Sequence, residues 1–363
     1  MEKNIFDYKI EKTDKDTFFI GANSEKGFVY ADKSLFDESG YDRVFVLKGS
    51  SGGGKSTFIR KAEKLAEKSG HKLTEYRCSS DPYSADAAVF ETDSGKYLIV
   101  DGTAPHVIDA KFPVACSEYI DLTAVTSKEK LEGKREEIIE LTEMKKKAFD
   151  RAYSYLLSAH DMSDAEYELT KKVTRCDKLD STVSRFISKS KYIRGSKRCE
   201  YITCISMKGM VMLDTYLRRA KSIYVLDGCM GIENVFMDRC VKALEKCRAS
   251  FAVCPCPYDS SLIDAVYIDS CDTLVIKNTA CPVNAKRINM RRFVGENIKE
   301  CRGEYRFIQR CRCELIKGAC TSLESAEKVH FSIEDIYKNA SDYSVSNKLF
   351  NKTVSKYIKS FTK

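Results

Sequence analysis

Residues 44–66 read VFVLKGSSGGGKSTFIRKAEKLA, and this stretch restricts the fold more than any other. Val44, Phe45, Val46 and Leu47 form a β-branched and aromatic run, the pattern of a buried parallel strand. Gly49, Gly54, Lys55 and Ser56 then match G-x-x-x-x-G-K-[ST], a phosphate-binding loop. Phe58, Ile59, Ala62, Leu65 and Ala66 follow at helical spacing, and Gly70 is placed to close the helix. Strand, glycine loop and helix in this order predict an α/β domain. The glycines let backbone N–H groups approach phosphate oxygens, and the helix N-terminus adds partial positive charge.

The motif assigns roles. Gly49, Ser50, Ser51, Gly52, Gly53, Gly54, Lys55, Ser56 and Thr57 form the expected nucleotide cradle. Lys55 reaches the β- and γ-phosphates, and Ser56 ligates Mg²⁺. A second metal acid is expected at the end of another strand. Tyr97-Leu98-Ile99-Val100-Asp101 fits, with Asp101 completing the metal site. His106 lies five residues further on, in a strand-end loop where open α/β sheets bind ligands, and is the candidate γ-phosphate sensor or base. Glu91 and Asp109 are further acids to consider. Gly102, not a glutamate, follows Asp101; no LSGGQ-like signature and no N-K-x-D occur. ATP is the expected nucleotide by elimination.

The pattern recurs. FFIGANSEKGFV at 18–29 resembles YITCISMKGMV at 201–211. VFVLKGSSGGGKS matches IYVLDGCMGIENV, placing Val44 on Ile223 and Gly49 on Gly228. Asp81 falls on Asp259, Asp86 on Asp264 and Asp101 on Lys277. Order and near-constant separation predict an internal duplication. In this gapless register Glu233 replaces Gly54, Asn234 replaces Lys55 and Val235 replaces Ser56, so the second copy is expected to lack nucleotide chemistry. Asp81 and Asp86 recur in it, which makes turn and helix capping their expected role. The expected fold is two tandem P-loop NTPase-like three-layer domains, each a parallel sheet flanked by helices, plus added helical segments. The expected bounds are 1–126 for the intact domain, 127–198 for a helical segment and basic linker, 199–322 for the degenerate domain and 323–363 for a C-terminal helical segment, read as the matching element of the second copy.

Composition narrows the class. With 61 Lys and Arg against 53 Asp and Glu, the charge of +8 is modest for 363 residues and does not call for nucleic acid. Two basic clusters remain to be placed, residues 185–198 and Arg287, Arg291 and Arg292; one of these arginines is a candidate finger toward the first site. No apolar run approaches the ~20 residues of a membrane span, and the charged N-terminus lacks a signal-peptide core, so a cytoplasmic protein is expected. The 16 cysteines are expected to be free thiols; the one-residue spacers of Cys254-Pro-Cys256 and Cys311-Arg-Cys313 are shorter than zinc sites use.

The series GxxGxGKST, YRCSSDP, IVDGTAPH and a second related copy resembles a bacterial family of tandem P-loop proteins described as ATP-binding proteins or ATPases. The likeness covers most of the chain and implies a nucleotide site at Gly49, Gly54, Lys55, Ser56 and Asp101, with His106 in the TAPH element. Second copies in that family look intact; this chain departs from them at Glu233, Asn234 and Val235. Three function classes stay open: an ATPase whose turnover moves the domain against the second copy or a protein partner, a kinase of a small molecule or nucleotide, and a non-catalytic nucleotide sensor or scaffold in which ATP stabilises one arrangement of the two copies.

Overall fold

The computed structural model describes residues 8–103, 107–188, 194–277 and 284–359. The chain forms two compact units that are not consecutive stretches. One comprises Asp14–Ile20, Lys33–Asp150 and Ser322–Lys363; the other comprises Met1–Thr13, Gly21–Asp32 and Arg151–Thr321. The C-terminal helices, expected beside the second copy, thus belong to the unit of the first glycine loop. Among the described residues, no helix is long and apolar enough to cross a membrane.

The first-loop unit is built on a six-stranded sheet. Its strands are β2 (Asp16–Phe19), β5 (Arg43–Lys48), β6 (Lys72–Arg77), β7 (Ala85–Thr92), β8 (Gly95–Asp101) and β9 (Ser117–Asp121), in the order β2-β6-β7-β8-β5-β9. The sheet is mixed, which corrects the expected parallel sheet. Strand β7 runs antiparallel to both neighbours, whereas β5 is parallel to β8 and β9. The cause is loop length. Only Asp93 and Ser94 separate β7 from β8, a hairpin connection too short for a parallel crossover.

Helix α1 (Lys55–Lys68) lies against β7, β6 and β8. Phe58, Ile59, Ala62 and Ala66 form its buried stripe, as their spacing predicts. Burying Phe58 and Ile59 is worth about 1.5–3 kcal/mol each. Gly70, at φ +72, closes the helix as expected, and the next N–H reaches back to Ala66 O at 3.0 Å. Helices α8 (Tyr343–Lys352) and α9 (Ser355–Ile358) complete this core, with Phe350 edge-on to Phe58 at 5.2 Å.

Glu63 is a buried acid on the same helix. Burial, then the neighbouring Glu75, push its carboxyl up to about 7, although Lys15 stands 3.7 Å away. A raised carboxyl keeps its proton in the folded chain where the unfolded chain has lost it. Stability from this group is full below about pH 4.5 and is lost as pH rises through about 7. In urea unfolding at pH 5 and pH 8, Glu63→Gln should cut the loss between the two by up to ~3 kcal/mol. An unchanged difference in the variant would remove Glu63 as the cause.

The other unit repeats the sheet. Strands β10 (Lys197–Cys199), β13 (Ser222–Asp227), β14 (Phe251–Pro255), β15 (Ile263–Ile268), β16 (Thr273–Ile276) and β17 (Lys286–Asn289) take the order β10-β14-β15-β16-β13-β17. Here too the third strand is antiparallel to both neighbours. A three-stranded sheet joins β1 (Lys9–Glu11) with β11 (Thr203–Ser206) and β12 (Gly209–Leu213), and β3 (Gly21–Ser24) pairs with β4 (Gly27–Tyr30). The two hairpin turns are alike. Gly27 and Gly209 both sit at φ +82. Ser24 and Ser206 each donate their hydroxyl to that glycine's carbonyl.

The charged stretch expected to be helical is so over its described residues, 127–188: α2 (Lys128–Leu131), α3 (Arg135–Val173) and α4 (Cys176–Ser188). Helices α5 (Thr215–Arg219), α6 (Ile232–Lys246) and α7 (Ile298–Asn339) follow. The described cysteines are all free thiols.

Candidate nucleotide site

The first loop, residues 49–54, joins the end of β5 to the start of α1. Gly52 and Gly54 are both left-handed, at φ +70 and +84. At Gly52 a side chain would also collide with the main chain, since a Cβ there would lie 2.8 Å from Glu334 O. Lys55 opens the helix, and its ammonium folds back into the loop. Nζ donates to Gly49 O at 3.1 Å and Ser50 O at 2.8 Å, and stands 3.7 Å from Asp101 Oδ2. The sequence-predicted loop lysine and strand-end acid are therefore together. Thr57, one residue beyond Ser56, is exposed.

Asp101 ends β8 directly opposite Leu47 of β5. Its Oδ1 accepts from the Thr103 N–H at 2.9 Å and the Thr103 hydroxyl at 2.6 Å. Burial raises its pKa in spite of Lys55, and Asp86 adds to the rise. Asp86 is thus close to the site, where sequence reading had given it a capping role. The antiparallel course of β7 is the reason: its first residues lie level with the last residues of β8, and Ala87 pairs with Val100. The Ala85 N–H also donates to Ser56 Oγ at 3.0 Å. The two-residue turn at Asp93 and Ser94 was the signal in the sequence, because a hairpin must bring Asp86 back beside Asp101. Asp81 keeps its turn role, its Oδ1 accepting from the Tyr83 N–H at 3.1 Å. Glu91 and Asp109 are exposed partners of Lys72 and Lys48. His106 lies outside the described residues.

The C-terminal helices overlie the loop. Tyr343 donates its hydroxyl to Gly52 O at 2.8 Å, and its ring would lie 3.2 Å from a Cβ on Gly54. Lys145 of α3 donates to His330 Nδ1 at 3.1 Å, and His330 Nε2 is 3.4 Å from Glu334 Oε1. Sequence reading missed Tyr343, Lys145 and His330, since nothing local ties them to a loop far away in the chain.

The second loop is built differently. Helix α6 starts at Ile232, capped by Gly231 at φ +75, as Gly54 caps α1. Only four residues, 228–231, separate β13 from α6, against six in the first loop. The gapless register is therefore corrected. Gly231 takes the place of Gly54, Ile232 that of Lys55 and Glu233 that of Ser56, so the capping glycine persists and the lysine does not. The shortened loop holds its own carboxylate. Glu233 Oε2 accepts from the Cys229 N–H at 3.0 Å, and a Cβ on Gly228 would fall 2.8 Å from Glu233 Oε1. Burial raises the pKa of this carboxyl, and Glu166 raises it further.

Beyond β16, Lys277 stands where Asp101 follows its own strand. Its Nζ lies 3.3 Å from Asp264 Oδ1 and donates to Asn234 Oδ1 at 2.9 Å. Where the first unit sets two carboxylates, Asp86 and Asp101, the second sets a carboxylate and an ammonium. A cavity of about 80 Å³ adjoins this pair, lined among others by Glu166, Glu233, Tyr258 and Arg312. Of the three arginines considered as fingers, Arg287 is ion-paired with Asp227. Compared with protein-family models, with curated proteins and with solved structures, the chain matches none.

Proposed function

We propose that the protein is a Mg-ATP-binding P-loop protein, an ATPase with one competent site, in the unit of residues 49–57. One observation carries the reading: Lys55 is curled onto the carbonyls of its own left-handed glycine loop, beside Asp101. A polyphosphate would draw that ammonium outward and offer it a stronger, charge-assisted partner. We further propose that the chain is a tandem duplication. Equal strand order and equal hairpin turns support this, and the likeness to tandem P-loop proteins agrees with it.

The donor set suits magnesium. Ser56 Oγ accepts one N–H and keeps a lone pair, and Asp101 is a buried carboxylate whose ionised form a cation would favour. Ser56 and Asp101, with Asp86 beside them, would hold the ion, which neutralises phosphate charge when bound. The chain's own groups do the rest. The N–H groups of residues 50–56 orient the phosphates, Lys55 bonds the transferring group, and Tyr343 over the loop restricts water.

A kinase is the second reading. It is favoured by Gly102, which occupies the position where a water-activating glutamate would stand. The test is the fate of γ-labelled ATP with Mg²⁺, alone and with complete or desalted cell extract. Free phosphate without any acceptor is expected for the ATPase. Label on a small molecule only with complete extract would replace it by the kinase. Binding without turnover in every condition would leave a sensor.

A further inference from the structure

We propose that Lys145 is a second phosphate-binding ammonium of the first-loop site, and that it contacts the terminal phosphate of ATP. The inference rests on the nucleotide reading above. Three observations carry it. First, Lys145 is linked to the loop through two residues of α7. It bonds His330, His330 pairs with Glu334 four residues on, and the Glu334 main chain backs Gly52. Second, its charge interacts with Cys78, Glu334 and Lys55, which lie at the end of β6, on α7 and in the loop. Two of them border the sheet end of the site: Asp86 acts on the Cys78 thiol, and Lys55 stands 3.7 Å from Asp101 Oδ2. Third, its hydrogen-bond partner is an imidazole nitrogen rather than a carboxylate. The neighbouring lysines differ: Lys48 is paired with Asp109 and Lys338 with Glu334.

The electrostatics suit an anionic ligand. Burial lowers the pKa of the Lys145 ammonium; Glu334 offsets this in part, and the charge of Lys55 adds to it. A half-buried ammonium facing a second ammonium is unfavourable until a polyanion arrives. A terminal phosphate between Lys55 and Lys145 would relieve both costs. His330 is then the resting acceptor that holds the side chain while no nucleotide is bound. ADP ends one phosphate short, so this contact favours ATP.

Calorimetric titration of Mg-ATP and Mg-ADP into the full chain tests the proposal. Lys145→Ala should weaken ATP binding about ten- to hundredfold, the effect of losing a charged hydrogen bond, and ADP binding far less. Lys145→Arg should restore most of the ATP preference, and the exposed neighbour variant Lys146→Ala should match the wild type. Unfolding midpoints within a few degrees of wild type would show that the variants are folded. Equal weakening of ATP and ADP, or none, beside lost binding in Lys55→Ala, overturns the role of Lys145 and leaves the P-loop reading standing. A wild-type chain without saturable Mg-ATP binding overturns both.

Discussion

Lys55→Ala is expected to lower Mg-ATP turnover by about 10²–10³-fold and to weaken ATP binding sharply. The magnitude follows from removing one positioned donor to a developing anion, about 2.7–4 kcal/mol. Lys55 opens α1, so its ammonium reaches back over the loop, and it already sits at the loop's centre on Gly49 O and Ser50 O. Those contacts also hold the loop, so the variant should show faster amide exchange at residues 49–54. Lys55→Arg separates charge from shape. Its planar fork cannot follow the same curl, so it should retain some binding and little turnover. Turnover in Lys55→Ala within threefold of wild type would reject this loop as the site. The parallel change in the second unit, Glu233→Ala, should leave turnover unaltered, since that loop has neither a lysine nor the length of the first.

Arg312→Met is expected to destabilise the second unit by about 3–5 kcal/mol, the cost of leaving a buried charge unpaired. Arg312 of α7 and Glu166 of α3 form an ion pair with side chains only 5% and 3% exposed. Gln309 accepts from the other arm of the guanidinium at 2.7 Å. Without the arginine, Glu166 would face Glu233, whose charge it already opposes. The double variant Glu166→Gln with Arg312→Met should recover much of the loss, because the neutral pair strands no charge. Urea unfolding with hydrogen exchange at Ile232–Lys246 reads the effect in the unit concerned. A single-variant loss below about 1 kcal/mol would mean that water reaches the pair and screens it.

How much of this could be read from the chain depends on distance along it. The strand at Val44 to Leu47, the left-handed glycines and the buried stripe of α1 are local patterns, and each is found where its spacing puts it. The strand-end acid Asp101 was legible for the same reason. The second loop was legible in outline only. A gapless alignment cannot see a two-residue deletion inside a loop, and it placed Glu233 two positions away from its structural counterpart. Neither register places a lysine at the start of α6.

The sheet direction was misread although its cause is local. The turn at Asp93 and Ser94 is too short for a crossover, and that decides β7 and with it the position of Asp86. Lys145, His330 and Tyr343 are a different matter. Lys145 lies 90 residues from Lys55 in the chain and Tyr343 nearly 290. Their arrival depends on two long helices packing in register, through contacts that no periodicity encodes. The sequence by itself determined a glycine cradle with one lysine, one hydroxyl and one strand-end carboxylate, because strand, turn and helix propensities act within a few residues. Only the tertiary structure decided what closes over that cradle, since long-range packing selects which distant side chains share its space.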